Sequence, residues 1–591
     1  MRGCMPPKSP EQIVLESLFN DFHSTEYPED EADDVFEIFS ASHVLKPRNF
    51  TSDDLASGVV DGAKDGGIDS FYVFVNGILL SPDDPLLVPG SEAVKKINTH
   101  PHLEVFLIQS KNKDSWEEGA WEHLLASLAS LLDWDAKDAA LEKHFSATVV
   151  ERTGILRRAI GSLATKFPKI DFNLVYVTRA REENITDTIK LRAAQVGQLV
   201  QSSLMAGAEV KVNHVGAKEL YRLAGIDYSE PGILNFHEII RADKSYLGIV
   251  TLEDYLDFVR SEDGELRDEL FDSNVRDYEG DNSVNEAIRA TLATDEDAEF
   301  WWLNNGVTVL GTEVDGPRKR LVIKQPLIVN GLQTTHVLDQ AEKDGTLVDS
   351  RRNNGIVVRV IESDDEDTRD KVIAGTNRQT QVPSVALYAT QELQRNIERF
   401  LLVYNWYYER RKNRYKNQGK PAKRRITINL LAQAMITLML GQPDGARARP
   451  STLLSSAGGY SSVFPSDLNP EAYLRAIELV KAVDEYLRTD DAKAILDEYT
   501  NARFYVAAGY EILKFSIKDT SDLHFRENFH SLKPPFEKAK LEKSLTVLAD
   551  VAAKYSKKNP GTSRDSIFKS SEFRAEYFNA LSAITRRAAP K

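Results

Sequence analysis

The 591-residue chain has one cysteine, Cys4. A single thiol makes an internal disulfide impossible and leaves no Cys-rich zinc site to build, which suits a reducing, cytoplasmic setting. Long hydrophobic runs are absent as well. The longest, INLLAQAMITLMLG at 428–441, contains Asn429 and Gln433. It falls short of the ~18–20 residues that span a bilayer, so it reads as a buried helix and no membrane partner is expected. The opening MRGCMPPKSPEQ lacks the apolar core of a secretory signal. Positive charge is scarce: 74 Lys and Arg stand against 90 Asp and Glu, a net charge of −16. Such a chain does not coat nucleic acid with its whole surface, though a local basic patch remains able to bind it. No G-x-x-x-x-G-K-S/T loop occurs, so ATP-driven translocation is not indicated.

What is present is the composition of an ordinary folded protein, 42% hydrophobic and 28% charged, which excludes a disordered or fibrous chain. The length suggests two to four domains at roughly 150 residues each. Apolar residues at spacings of three and four predict helices over 10–23 and 30–46. The period then changes. IDSFYVFVNGILL (68–80) predicts a strand and hairpin turning at Asn76-Gly77. LEVFLIQSK (103–111), FNLVYVT (172–178) and EVKVNHV (209–215) predict further strands, with helices over 116–134 and 183–206. This order is an αβ sandwich over residues 1–228. A larger α+β region with short strands at 306–310, 326–330 and 355–362 is expected over 229–384, and a mostly helical region over 385–591.

One constellation carries chemistry. DGGID (65–69) introduces the first strand and places Asp69 at its start. The strand at 103–111 ends in Gln109-Ser110-Lys111, where Gln109 and Lys111 share a face. If the two strands are neighbours, a carboxylate, an amide oxygen and an ammonium converge. A carboxylate and carbonyl oxygens suit a hard cation such as Mg²⁺ or Mn²⁺, with the carbonyl of Ser110 as another ligand. A lysine beside it orients water and balances charge on a reacting phosphate. Glu37 on the second helix is a candidate extra acid; Glu16 also lies on an early helix. Taken singly, such residues are solvated edge groups. The context, wholly apolar strands that open or close on them, argues for a site.

DGGID…QSK, with a preceding acid-bearing helix and a following helix–strand, resembles the Mrr-like branch of the PD-(D/E)xK nucleases, in which Q-x-K replaces E-x-K. The resemblance implies a restriction-endonuclease-like sandwich, with Asp69 as the metal-binding acid, Gln109 on the metal side, Lys111 as the catalytic lysine and Glu37 as the helix acid.

A second group of polar residues punctuates 270–383. LFDSNVRDY, FWWLNNGVTVL, PLIVNGLQTTHVL and IAGTNRQTQVP set Asn274, Arg276, Asn304, Asn305, Asn330, Gln333, Thr334, Asn377 and Gln379 beside apolar runs. The Asn-Gly pairs are first of all turn chemistry. The amides suit either reading a base edge or a buried hydrogen-bonded network. These four blocks, in order, resemble the AIPR family, the abortive infection phage resistance proteins. That likeness implies an anti-phage protein, with a phage-derived trigger and a homo-oligomer among the open possibilities.

Residues 404–425 hold nine Lys or Arg against one acid, Glu409, with Tyr and Trp interleaved. Arg410, Arg411, Lys412, Arg414, Lys416, Lys423, Arg424 and Arg425 are therefore expected to contact phosphate, and the aromatics to stack on bases. Together these features point to a Mg²⁺-dependent endonuclease acting on nucleic acid, DNA favoured over RNA. The rivals are a catalytically silent nucleic-acid-binding regulator and a sensor or assembly module for a phage protein.

Overall fold

The computed structural model describes residues 8–28, 30–46, 51–60, 64–97, 99–205, 207–225, 231–261, 264, 266–271, 283–294, 299–317, 319–377, 392–410, 414–416, 418–448, 450–455 and 458–588. The protein is a mixed α/β structure with a helical C-terminal region.

The N-terminal region is built on a five-stranded sheet. Its strands are β1 (Ser70–Val75), β2 (Ile78–Leu79), β3 (His102–Lys111), β4 (Lys169–Thr178) and β5 (Glu209–Val215), in the order β2-β1-β3-β4-β5. Every residue of SFYVFV in β1 is buried, as expected of a strand covered on both faces. Asn76 and Gly77 take positive φ, 51° and 82°, the backbone that a two-residue hairpin requires. β1 runs antiparallel to β3, whereas β3, β4 and β5 are parallel.

Side-chain alternation divides the sheet into two faces. Phe71, Val73, Leu103, Val105, Leu107, Phe172 and Leu174 pack with Trp121, Leu124, Leu156 and Val196 from the helices Glu118–Leu131, Ala147–Leu163 and Asp187–Ser203. On the other face, Tyr72, Phe74, Ile108, Val175 and Val177 meet α1 (Pro10–Glu26), α2 (Ala32–Val44) and the helix Ala217–Gly225. A short α3 (Ser52–Gly58) leads into Val60, whose N–H bonds to the carbonyl of Asp69.

The second region holds β6 (Gly232–Asn235), β7 (Glu238–Ala242), β8 (Ser245–Thr251), β9 (Val307–Gly311), β10 (Glu313–Asp315), β11 (Arg320–Lys324), β12 (Leu327–Asn330) and β13 (Gly355–Glu362). They form a five-stranded sheet, β12-β9-β13-β8-β7, and a three-stranded one, β10-β11-β6. Val250, Val307, Val309, Ile356 and Val358 close one core with Tyr255, Val337 and Leu338 from the helices Leu252–Val259 and Leu332–Lys343. The third core is helical, built around Ile428–Leu438, Pro470–Leu487, Tyr499–Phe515, Lys538–Lys558 and Ser571–Ala588. Among the described residues no helix is long and apolar enough to cross a membrane. The run at 428–441 is the buried helix its interruptions predict.

Candidate functional site

The expected strand pairing is present: Ser70 stands opposite Ile108, so Asp69 enters the sheet beside Gln109. Asp69 is 3% exposed. Its Oδ2 accepts the Ser110 N–H at 2.6 Å and the Ser110 hydroxyl at 3.2 Å. Lys111 Nζ lies 3.8 Å from the same oxygen. Burial pushes the Asp69 carboxyl up; Lys111 and the Ser110 N–H pull the other way.

The two glycines of DGGID have a packing role. Gly66 and Gly67 take φ of +70° and +79°. A Cβ on Gly67 would fall 2.9 Å from His123 Cβ and 3.5 Å from Gln109 Nε2, and one on Gly66 would fall 2.9 Å from Ser127 Oγ. The turn is thus pressed against the helix Glu118–Leu131, with the Gln109 amide beside it. The Gly67 N–H donates to Asp65 Oδ1 at 2.7 Å, which closes the turn.

Gln109 is 1% exposed, and its Oε1 has no hydrogen-bond partner among the described residues. A buried amide oxygen left open costs on the order of 1–3 kcal/mol. It is the kind of oxygen that a hard cation takes. Among the described residues no three His, Cys, Asp or Glu side chains form a metal cage. The donors present, the Asp69 carboxylate and the Gln109 amide oxygen, are oxygens of the kind that Mg²⁺ or Mn²⁺ takes while keeping several waters.

Of the two candidate helix acids, Glu37 is the one that feels the charges of Asp69 and Lys111. Beside it on α2, Asp33 Oδ1 accepts from Asn112 Nδ2, just past β3, at 3.0 Å. Burial, then Asp69 and Asp34, push the Glu37 carboxyl up to about 9. Glu16 instead pairs with Lys8 at 2.7 Å.

Sequence reasoning missed what lies beside the trio. Gln109 stands opposite Tyr176, and Tyr176 opposite His214, so one row of the sheet reads Asp69, Gln109, Tyr176, His214. The Tyr176 hydroxyl accepts the Glu117 N–H at 3.1 Å, and Trp121 Nε1 donates to His214 Nε2 at 3.2 Å. Asp34 and Asp65 add charge. The row was hidden because register, unlike the apolar pattern, is not written along one strand.

The basic segment requires a correction. Arg410 and Arg425 are buried rather than solvent-facing. Arg410 and Arg414 pair with Glu398, at 2.5 and 2.9 Å, and Arg425 pairs with Glu26 at 2.7 Å. Lys423 lies 3.6 Å from Asp30. Burial pushes Lys416 down to about 8. The aromatics are occupied too: Arg424 covers Trp406 at 4.6 Å and Lys420 covers Tyr407 at 5.1 Å. This stretch therefore anchors the helical region to α1 and its neighbours instead of forming a phosphate-binding stripe. Arg411 and Lys412 lie outside the described residues.

Part of the Asn/Gln group bonds internally. Asn304 Oδ1 accepts from Gly306 N–H and Thr334 Oγ1, both at 3.2 Å, and Gln333 Oε1 accepts from Asn285 Nδ2 at 2.9 Å. Gly306 and Gly331 hold φ of +74° and +105°, each with a neighbouring strand where a Cβ would go. Asn305 and Asn330 are exposed. Asn274, Arg276, Gln379 and the side chain of Asn377 lie outside the described residues.

Residues 271–571 match the family described as AIPR protein. The chain belongs to the AIPR family. The match starts after β8 and the helix Leu252–Val259 and ends as the helix Ser571–Ala588 begins, so it takes in β9 to β13 and most of the helical core and leaves β6 to β8 and the sheet with Asp69 outside it. No curated protein and no solved structure matches the chain.

Proposed function

We propose that the N-terminal sheet is an Mrr-like PD-(D/E)xK nuclease domain that hydrolyses phosphodiester bonds of nucleic acid, DNA favoured, and that the AIPR unit governs it. Family membership suggests involvement in abortive infection, a phage defence. The observation that carries the nuclease reading is the convergence of Asp69, Lys111 and the open Gln109 oxygen at the end of two apolar strands, with Glu37 above them.

Asp69 and Gln109 would hold a divalent cation, with the Ser110 carbonyl as a further ligand. When bound, that cation supplies Lewis-acid polarisation of the phosphate and a more acidic water. Ser110 fixes Asp69 through its N–H and hydroxyl, so that carboxylate is preorganised. Lys111 stands where its ammonium can orient a water and offset charge growing on the phosphate oxygens. Burial and the neighbouring Asp69 favour the protonated form of Glu37, so this carboxyl can hold a proton beside the site.

The test is cleavage of plasmid, single-stranded DNA and RNA with Mg²⁺ or Mn²⁺, wild type beside Lys111→Ala. Cutting by the wild type and loss of at least about 100-fold in the variant is expected. Equal cutting by both would sink the assignment of this trio. A wild type that binds but never cuts, with or without phage lysate, favours the regulator.

A further inference from the structure

The second region has an open side that the site does not use. β7 ends the order β12-β9-β13-β8-β7, so one edge of this sheet is unpaired among the described strands. Its register with β8 places Ile240 opposite Leu247 and Glu238 opposite Ile249. β8 in turn sets Ile249 opposite Val357 on β13. These residues share the face turned away from the core of Val250, Ile356 and Val358. Ile240 is 69% exposed and Leu247 44%. At the far end of the row Trp301 sits over Gly355, where an added Cβ would meet both its ring and Ile249. Ile240, Leu247, Ile249 and Val357 thus run as a stripe obliquely across three strands to an open edge, with Trp301 at the far end and with Glu238 and Arg359 flanking them on the same face. Exposed apolar surface beside a free strand edge is a place for another chain to pair.

The edge is complementary to itself. β7 and β8 are joined by a two-residue turn, Asp243-Lys244, with Ala242 opposite Ser245. Counting out from that turn, Ile240 bonds inward to β8, while the N–H and C=O groups of Ile239 and Arg241 point outward. An antiparallel partner related by a two-fold axis through Ile240 sets Ile239 opposite Arg241 of the second copy. The outward groups then bond to one another without any left over. The same axis puts Ile240 against its own counterpart and makes the two stripes continuous. It also brings Glu238 diagonal to Lys244, a pair that occurs twice. Lys319 already lies 3.0 Å from Glu238, and both are exposed. A slip by one residue would turn the apolar stripe of one copy to the opposite face of the shared sheet.

We infer that β7 and the Ile240–Leu247 stripe form a two-fold interface with a second copy of this chain, joining two five-stranded sheets into one. The inference is independent of the nuclease reading, because it uses no residue of that site.

Sedimentation or light scattering of the full chain at micromolar concentration tests it. The wild type is expected at twice 66.3 kDa, and Ile240→Lys at 66.3 kDa with an unchanged far-UV spectrum, since the side chain is exposed. Lys244→Glu is expected to raise the dimer dissociation constant about tenfold, and adding Glu238→Lys to restore it. The lone native cysteine allows a positional test. In a Cys4→Ser background, Ile240→Cys places two thiols on a non-hydrogen-bonded pair with Cα atoms ~4.5 Å apart, within disulfide reach. Oxidation should give a covalent dimer on a non-reducing gel. A monomeric wild type, a dimer that survives Ile240→Lys, or an Ile240→Cys variant that does not cross-link each overturns the interface.

Discussion

Two polar clusters sit at the ends of apolar strands in this molecule, and they differ in the charge they hold. Around Asn304 the side-chain oxygen is taken up by Gly306 and Thr334, and Gln333 is bonded to Asn285. Around Asp69 the groups crowd without closing. Gln109 keeps an open oxygen, Glu37 is forced toward its protonated form, and Asp69 shares its charge with Lys111. A network of neutral amides and hydroxyls bonded to one another specifies a fold. One that holds crowded ionisable groups at a cost is where a ligand is to be expected. The amide count in the sequence is the same kind of signal in both places; charge separates them.

The contrast can be pressed with substitutions, taken from the largest effect to the smallest. Asp69→Asn should lower metal-dependent cleavage by at least about 100-fold while leaving the melting temperature equal or higher, because it removes a buried charge crowded by Glu37 and Asp65. A large fall in melting temperature would make Asp69 a structural residue. Glu511 is the counter-case: it is buried in the helical core, its Oε2 has no partner among the described residues, and only His524, 3.4 Å away, attends it. Burial pushes its carboxyl up to about 7. A raised acid binds more protons folded than unfolded, so its stability is complete below about pH 4.5 and is lost as pH climbs through 7. Glu511→Gln should therefore match the wild type near pH 4.5 and exceed it by on the order of 3 kcal/mol at pH 8, with cleavage unchanged. Denaturant melts at the two pH values read this directly.

Smaller effects probe the closed cluster and the basic segment. Asn304→Ala should cost about 1–2 kcal/mol in unfolding free energy and leave cleavage alone; a selective loss of cleavage would reopen that cluster as a site. Arg424→Ala, which removes only a stack on Trp406, should cost about 0.5–1 kcal/mol. It should not change the salt dependence of nucleic-acid binding, as a phosphate-contacting arginine would.

Much of the N-terminal sheet was legible because both of its faces are covered. β1, β3 and β4 therefore read as near-continuous apolar runs, and Asp69 and Lys111 stood out as polar ends. The choice between Glu37 and Glu16 was not legible. Helical periodicity puts both on an inward-tending face, and only the packing of α2 against the sheet brings Glu37 to Asp69 and Lys111 while Glu16 pairs with Lys8. The segment 404–425 misled for the same reason. Its charge looks unopposed along the chain, yet the acid that meets Arg425 is Glu26, 399 residues earlier. Local sequence reports how much charge is present; only the fold reports what faces it.

The joint between the N-terminal sheet and the helical core has a consequence for how such a protein evolves. Glu151 is buried against Arg447 at 2.8 Å and Lys569 at 3.3 Å. Burial alone would push its carboxyl up, but Arg447, Lys569 and Arg152 outweigh this and hold it below its usual range. Glu142 accepts the Arg564 N–H, Thr427 bonds to Asp53 on α3, and Glu26 receives Ala422 and Arg425. A recombination event that exchanged the first 230 residues for another lineage's would strand these charges in a low-dielectric seam, where an unmatched ion costs several kcal/mol. The charges of each part are thus matched to those of the other across the seam. A change on one side of the seam constrains which changes the other side can accept.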